Sequence, residues 1–124
     1  MAIPNYVLLA VAAPQQSAEL YTKILDAQPV ESSETFVLYV LPGGFKVGLW
    51  SADEMHPIPR PAGGSELSFS LADEDAVRET YEAWTRLGLK VEQELTHMDF
   101  GYTFVVSDPD GHRLRPFALG DNPR

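Results

Sequence analysis

The chain has 124 residues, 44% hydrophobic and 10% aromatic, enough apolar mass for one domain core and too much for global disorder. Nine Lys and Arg stand against eighteen Asp and Glu, and both halves are acidic: residues 1–60 carry three cations and six anions, residues 61–124 six and twelve. The net charge of −9 argues against nucleic acid and anionic membranes as partners, and the absence of cysteine excludes a disulfide framework, a thiolate zinc site and a cysteine nucleophile.

Tyr6-Val-Leu-Leu-Ala-Val11 reads as a strand. Pro14 suits the first turn of a helix, and Leu20, Tyr21, Ile24 and Leu25 form its apolar stripe. Three β-like runs follow, at about 28–32, Thr35 to Leu41 and Phe45 to Trp50, with Pro42-Gly43-Gly44 as the turn between the last two. Alternation puts Lys46, Gly48 and Trp50 on one face, and Phe45, Val47 and Leu49 on the face under a helix. Residues 51–64, with three prolines and two glycines, read as a connector.

The pattern then restarts. Glu66-Leu-Ser-Phe-Ser-Leu71 alternates as a strand with one wet face. Asp73-Glu-Asp75 caps a helix whose stripe is Val77, Tyr81, Trp84 and Leu87, and Gly88 stops it. Strands are expected near 89–94, from Tyr102 to Ser107 and from Arg113 to Leu119, the last two joined by the turn Asp108-Pro-Asp-Gly111.

The two halves match each other. A shift of 60 places Val7, Leu9 and Val11 on Leu67, Phe69 and Leu71, and Tyr21 on Tyr81; a shift of 67 places Leu41–Trp50 on Asp108–Phe117. The expected fold class is α+β: two βαβββ modules, about 1–52 and 65–120, forming a cupped, incomplete barrel within a single domain over 1–124, with 53–64 as linker. One helix covers one sheet face, so the other is expected to meet the sister module or another chain, with the concave face of the cup as the natural ligand site.

Val11-x-Ala13-x-x-x-Ser17-x-x-Leu20-Tyr21 and Ser107-Asp-Pro-Asp-Gly-His112, in this repeat, resemble the vicinal oxygen chelate superfamily of glyoxalases, extradiol dioxygenases and bleomycin-resistance proteins. Gly48-Leu-Trp-Ser51, Gly64-Ser-Glu-Leu67 and Asp99-Phe-Gly-Tyr-Thr-Phe104 look like a subgroup containing phenazine-resistance binding proteins, whose members bind planar aromatic antibiotics without chemistry. The resemblance implies that Tyr6, Gly48, Glu66 and Arg115 occupy the positions that hold a divalent metal in the superfamily's enzymes. Of these only Glu66 ligates well; glycine has no side chain and a guanidinium repels a dication. Neither a metal nor a catalytic residue is therefore expected, and no cofactor. Glu66 and Arg115 are instead expected either to pair and orient a ligand carboxylate or ring nitrogen, or to leave Arg115 ending on the surface.

The resemblance also aligns Trp50 with the tryptophan that stacks on the ligand of the phenazine-binding relatives. Gly48 is expected to leave floor space beside it. Ser68 shares the face of Glu66, and Phe100 and Tyr102 are read as pocket walls; Trp84, Tyr21 and Tyr81 are read as core. The expected function is metal-free binding and sequestration of a planar aromatic or hydrophobic small molecule, an antibiotic in a resistance-type protein. The alternatives are a metal-dependent glyoxalase-like lyase, isomerase or dioxygenase, and a regulatory domain with a vestigial cup. A homodimer is expected from exposed strand edges. No signal peptide and no bilayer-length apolar run are seen, so a cytoplasmic location is expected.

Overall fold

The computed structural model describes residues 1–120. The chain divides into two compact units, Met1–Arg60 and Pro61–Arg124. Each holds one four-stranded mixed sheet that does not close on itself, with one helix, so the fold is α+β as expected.

In the first unit β1 (Tyr6–Val11) leads through Pro14 into α1 (Pro14–Leu25), followed by β2 (Glu31–Ser32), β3 (Phe36–Val40) and β4 (Lys46–Ser51). The sheet order is β1-β4-β3-β2, with β1 and β4 parallel. Val11, Val37, Tyr39, Val47 and Leu49 are fully buried, as is Tyr21 of α1. Burial raises the pKa of the Tyr39 phenol, whose hydroxyl finds Thr22 Oγ1 at 2.9 Å and donates to the Ala18 carbonyl at 3.1 Å. Two expectations shift here. The run at 28–32 yields only Glu31–Ser32 as strand, because Pro29 has no N–H to give a ladder. Phe45 precedes β4 and is exposed, so it does not join Val47 and Leu49 in the core.

The second unit repeats the plan with β5 (Glu66–Ser70), α2 (Glu74–Arg86), β6 (Lys90–Met98), β7 (Gly101–Ser107) and β8 (Arg113–Leu119), in the order β5-β8-β7-β6. Asp73 caps α2 by accepting from the Ala76 N–H at 2.8 Å. Phe104 meets Tyr81 and Trp84 edge to face at 5.1 and 6.0 Å, and Phe69 meets Trp84 at 5.1 Å, which makes an aromatic core under the helix. Asp108 shapes the last turn by accepting from the N–H groups of Asp110 and His112. β6 runs four residues past the expected end near 94, carrying two register shifts along its edge.

The internal repeat holds at the level of strand register. Tyr6 pairs with Lys46, and Glu66 with Arg113; Leu8 pairs with Gly48, and Ser68 with Arg115. The offsets of 60 and 67 read from the sequence therefore align backbone partners one for one.

Gly101 opens β7 at φ +151°, and a Cβ built there would stand 2.0 Å from the Ala118 carbonyl oxygen. The obstacle is backbone and cannot swing aside. Gly101→Ala is expected to cost about 3 kcal/mol or more of folding stability, read from urea denaturation; a loss below about 1 kcal/mol would show that the β7–β8 start is free to rearrange.

Candidate functional site

Each unit presents a cleft on the sheet face turned away from its helix. In the first unit the cleft is lined by Tyr6, Leu8, Phe36 and Trp50 and holds about 580 Å³. Strand geometry explains the grouping: Tyr6 and Leu8 are alternate residues of β1, and Phe36 is the cross-strand partner of Trp50. The Phe36 and Trp50 rings meet edge to face at 6.5 Å, with planes 87° apart. Lys46 places its ammonium 5.9 Å from the centre of the Tyr6 ring. Tyr6 and Leu8 are 41% and 45% exposed, an uncommon state for two adjacent same-face apolar side chains of a sheet.

Gly48 does not leave open floor. A Cβ there would come within 2.9 Å of Leu8 Cδ2 and of the Phe36 ring, so the glycine is the seat on which those two cleft-lining side chains rest. Its role is to admit them close to the sheet rather than to admit a ligand beside Trp50.

In the second unit a cleft of about 300 Å³ is lined by Ser70, Phe100, Arg115, Phe117 and Leu119. Phe100 and Phe117 meet edge to face at 6.0 Å. Glu66 and Arg115 do pair: Arg115 Nε donates to Glu66 Oε1 at 2.6 Å, and Nη2 to Oε2 at 3.2 Å. Arg113 reaches the same carboxylate, Nη2 to Oε2 at 2.6 Å. The remaining arm of Arg115 donates to Gln93 Oε1 at 2.9 Å and to Thr103 Oγ1 at 3.4 Å. Arg115 is only 17% exposed and so does not end on the surface. Arg113 and Gln93 were absent from the candidate set; the alternation of β8, which puts residues 113, 115 and 117 on one face, was the signal for Arg113. Ser68 lies beside Arg115 across β5 and β8 and is exposed.

Tyr102 is the correction. It is buried on the helix side of the sheet, stacked with His97 at 4.3 Å and covered by the Arg78 guanidinium of α2 at 5.5 Å. Gly101 breaks the alternation that seemed to link Phe100 with Tyr102, and only Phe100 reaches the cleft.

The superfamily's metal positions can be tested on these side chains. Tyr6 lies under Lys46, Gly48 offers nothing, and Arg115 is a cation. Both oxygens of Glu66 are engaged by guanidinium groups. Among the described residues no three His, Cys, Asp or Glu side chains are grouped to hold a metal ion. The donor set does not fit a divalent cation.

Against known proteins, residues 3–115 match the family model of the glyoxalase/bleomycin resistance protein/dioxygenase superfamily. The chain belongs to this superfamily. It is 28% identical over 120 residues to the phenazine antibiotic resistance protein EhpR of Enterobacter agglomerans, covering 94% of this chain and 92% of that protein. The solution structure of protein ATC0852 from Agrobacterium tumefaciens is similar at 41% identity and a TM-score of 0.90, over 97% of this chain and 99% of that one. A glyoxalase-related enzyme from Fulvimarina pelagi shares the fold at 18% identity and a TM-score of 0.85, over 100% and 96% of the two chains. No helix among the described residues is long and apolar enough to cross a membrane.

The two arginines hold the Glu66 carboxyl below the usual carboxylate range, the Arg115 hydrogen bond being the largest cause. A depressed value contributes stability above the ordinary glutamate range, lost as pH falls through it. Glu66→Gln is therefore expected to cost about 1–2 kcal/mol at pH 7, and less as the pH is lowered from about 4.3 toward 3, followed by urea denaturation at each pH. A difference that stays constant with pH would assign the loss to packing.

Proposed function

We propose that this protein binds and sequesters a planar aromatic or otherwise hydrophobic small molecule, without a metal, as a resistance-type protein does. The observation that carries this reading is the first unit's open cleft, walled by Tyr6, Phe36 and Trp50 with Leu8 and no charged lining residue. Its volume suits a fused-ring heterocycle, and an indole edge and face give it specific contacts. The likeness to the phenazine antibiotic resistance protein EhpR supports the resistance part of this reading. Sequestration requires affinity and burial, and neither calls for a nucleophile or a metal. The second unit's cleft, with Glu66, Ser68, Phe100 and Arg115 around it, supplies polar recognition on the same terms.

We also propose that the chain acts as a homodimer. Each sheet ends in two edge strands, and the outer backbone donors and acceptors of the longer ones suit pairing with a second copy.

Phenazine added to the protein is expected to quench the fluorescence of Trp50; Trp84, buried in the core, contributes little to the change. Trp50→Ala is expected to weaken binding about tenfold or more, the scale of one lost aromatic stack, as measured by calorimetry. Unchanged affinity in that variant would move the ligand out of this cleft. Metal content of protein purified without affinity-tag metal is expected to be negligible. A stoichiometric divalent ion surviving dialysis would overturn the metal-free reading and put a glyoxalase-like or dioxygenase reaction in its place.

A further inference from the structure

The second unit's cleft has an arginine among its lining residues, beside Ser70, Phe100, Phe117 and Leu119. Arg115, Phe117 and Leu119 are alternate residues of β8 and share one face of the strand, and Ser70 is the cross-strand partner of Phe117. The Phe100 and Phe117 rings stand at 80° to each other and form a corner. At the equivalent place in the first unit stands Gly48, with Leu8 and Phe36 packed over it. Arg115 is what sets the second cleft apart.

The edge of that guanidinium is engaged by the protein itself. Nε and Nη2 donate to the two oxygens of Glu66 on β5, at 2.6 and 3.2 Å. Nη1 donates to Gln93 Oε1 on β6 at 2.9 Å and to Thr103 Oγ1 on β7 at 3.4 Å, with Met98 Sδ 3.9 Å away. Gln93 is held in turn, its Nε2 donating to Met98 Sδ at 3.5 Å. The N–H bonds of a guanidinium lie in its plane, so partners on three strands grip the group by its rim. An acceptor on a ligand would have to displace one of these bonds. Arg115 nevertheless lines the cleft and is 17% exposed there. It offers the cleft what no hydrogen bond uses: its stem and the flat face of a delocalised cation. That face is oriented before any ligand arrives, so little rotamer freedom remains to be lost on binding.

We propose that this cleft is a stacking subsite, taking a flat, electron-rich aromatic ring face to face on the Arg115 guanidinium with the ring's rim against Phe100 and Phe117. The inference rests on the small-molecule reading above and adds the electronic character of the ring. The face of an aromatic ring carries negative density, which attracts a cation lying over it. A guanidinium is weakly hydrated, so covering its face with a ring gives up little hydration. No surplus of positive charge over the sheet is required, because the attraction acts at contact and Glu66 bonds at the edge. An electron-poor ring of the same outline gains the burial without the attraction. Phenazine, whose ring nitrogens withdraw density, belongs to the first unit's cleft on this reading. The two clefts then differ in what they select, the first by apolar surface and the second by electron density.

The test compares indole with tetrafluoroindole, fluorinated at each free carbon of its benzene ring. The two share an outline and an N–H. Fluorine withdraws density from the ring face and makes the ring more apolar, so burial alone favours tetrafluoroindole and stacking on a cation favours indole. Both are titrated into the full chain and followed by NMR at Arg115, Phe100 and Phe117, with the Trp50 indole N–H read in the same spectra. Indole is expected to bind at this cleft about fivefold more tightly, the scale of one cation–π contact, and its ring current to move the Arg115 Nε–H upfield. Arg115→Met keeps the stem, removes the cation and is expected to reverse the preference. Phe117→Leu is expected to weaken both probes together and leave their ratio unchanged. Equal or tighter binding of tetrafluoroindole to the unaltered protein would overturn the stacking subsite, and so would an indole preference that survives Arg115→Met. Shifts confined to Trp50, with phenazine still bound there, would overturn it while leaving the ring-binding protein in place. Failure of phenazine and both probes to move a resonance of either cleft would sink the small-molecule reading and this subsite with it.

Discussion

The open face of the second unit is organised by one guanidinium. Arg115 sits on β8 and bonds to Glu66 on β5, Thr103 on β7 and Gln93 on β6. A single side chain therefore ties together all four strands of that sheet. A shift of any one strand by a single residue would turn its contributing side chain to the opposite face and leave a partly buried charge without its partner. The network fixes register as well as charge. It also explains why a proline is tolerated inside a central strand. Pro116 cannot donate to β7, and the β7–β8 ladder lacks its pairs there. Thr103 compensates with its hydroxyl, which donates to the Pro116 carbonyl at 2.8 Å.

The two units show how the same backbone register carries opposite surfaces. Leu8, Gly48 and Trp50 in the first correspond to Ser68, Arg115 and Phe117 in the second. At the glycine, side chains from β1 and β3 descend onto the sheet and make an apolar cleft. At the arginine, the same place is filled by a charged fork that draws in carboxylate and amide partners. A duplicated plan thus yields one cleft for flat apolar surface and another with a polar end. The helix-side residues change too, Leu9 to Phe69 and Leu49 to Pro116 by the same offsets, but they stay apolar, so the difference in chemistry lies on the outward faces.

Much of this was legible in the sequence, for identifiable reasons. β1, β8 and the start of α1 follow from strong local signals: an apolar run, an Asp-Pro-Asp-Gly turn and a proline at the first helical position. The likeness of the two units followed from the repeat, since offsets of 60 and 67 carry the strand partners of one onto those of the other. The pairing of Glu66 with Arg115 stayed open in the sequence, because alternation puts both on one face without saying whether a long guanidinium side chain turns inward or out to solvent. What escaped was anything decided by a break in alternation. Gly101 at φ +151° separates Phe100 from Tyr102, so a pattern that counts every second residue sends both to the same face when the chain does not. The long, bulged β6 hid Gln93 for the same reason: a register shift on either side of it changes which way its side chain turns. Gly48 fails for a different reason: an absent side chain suggests empty space, whereas close packing fills such a gap with neighbours, here Leu8 and Phe36.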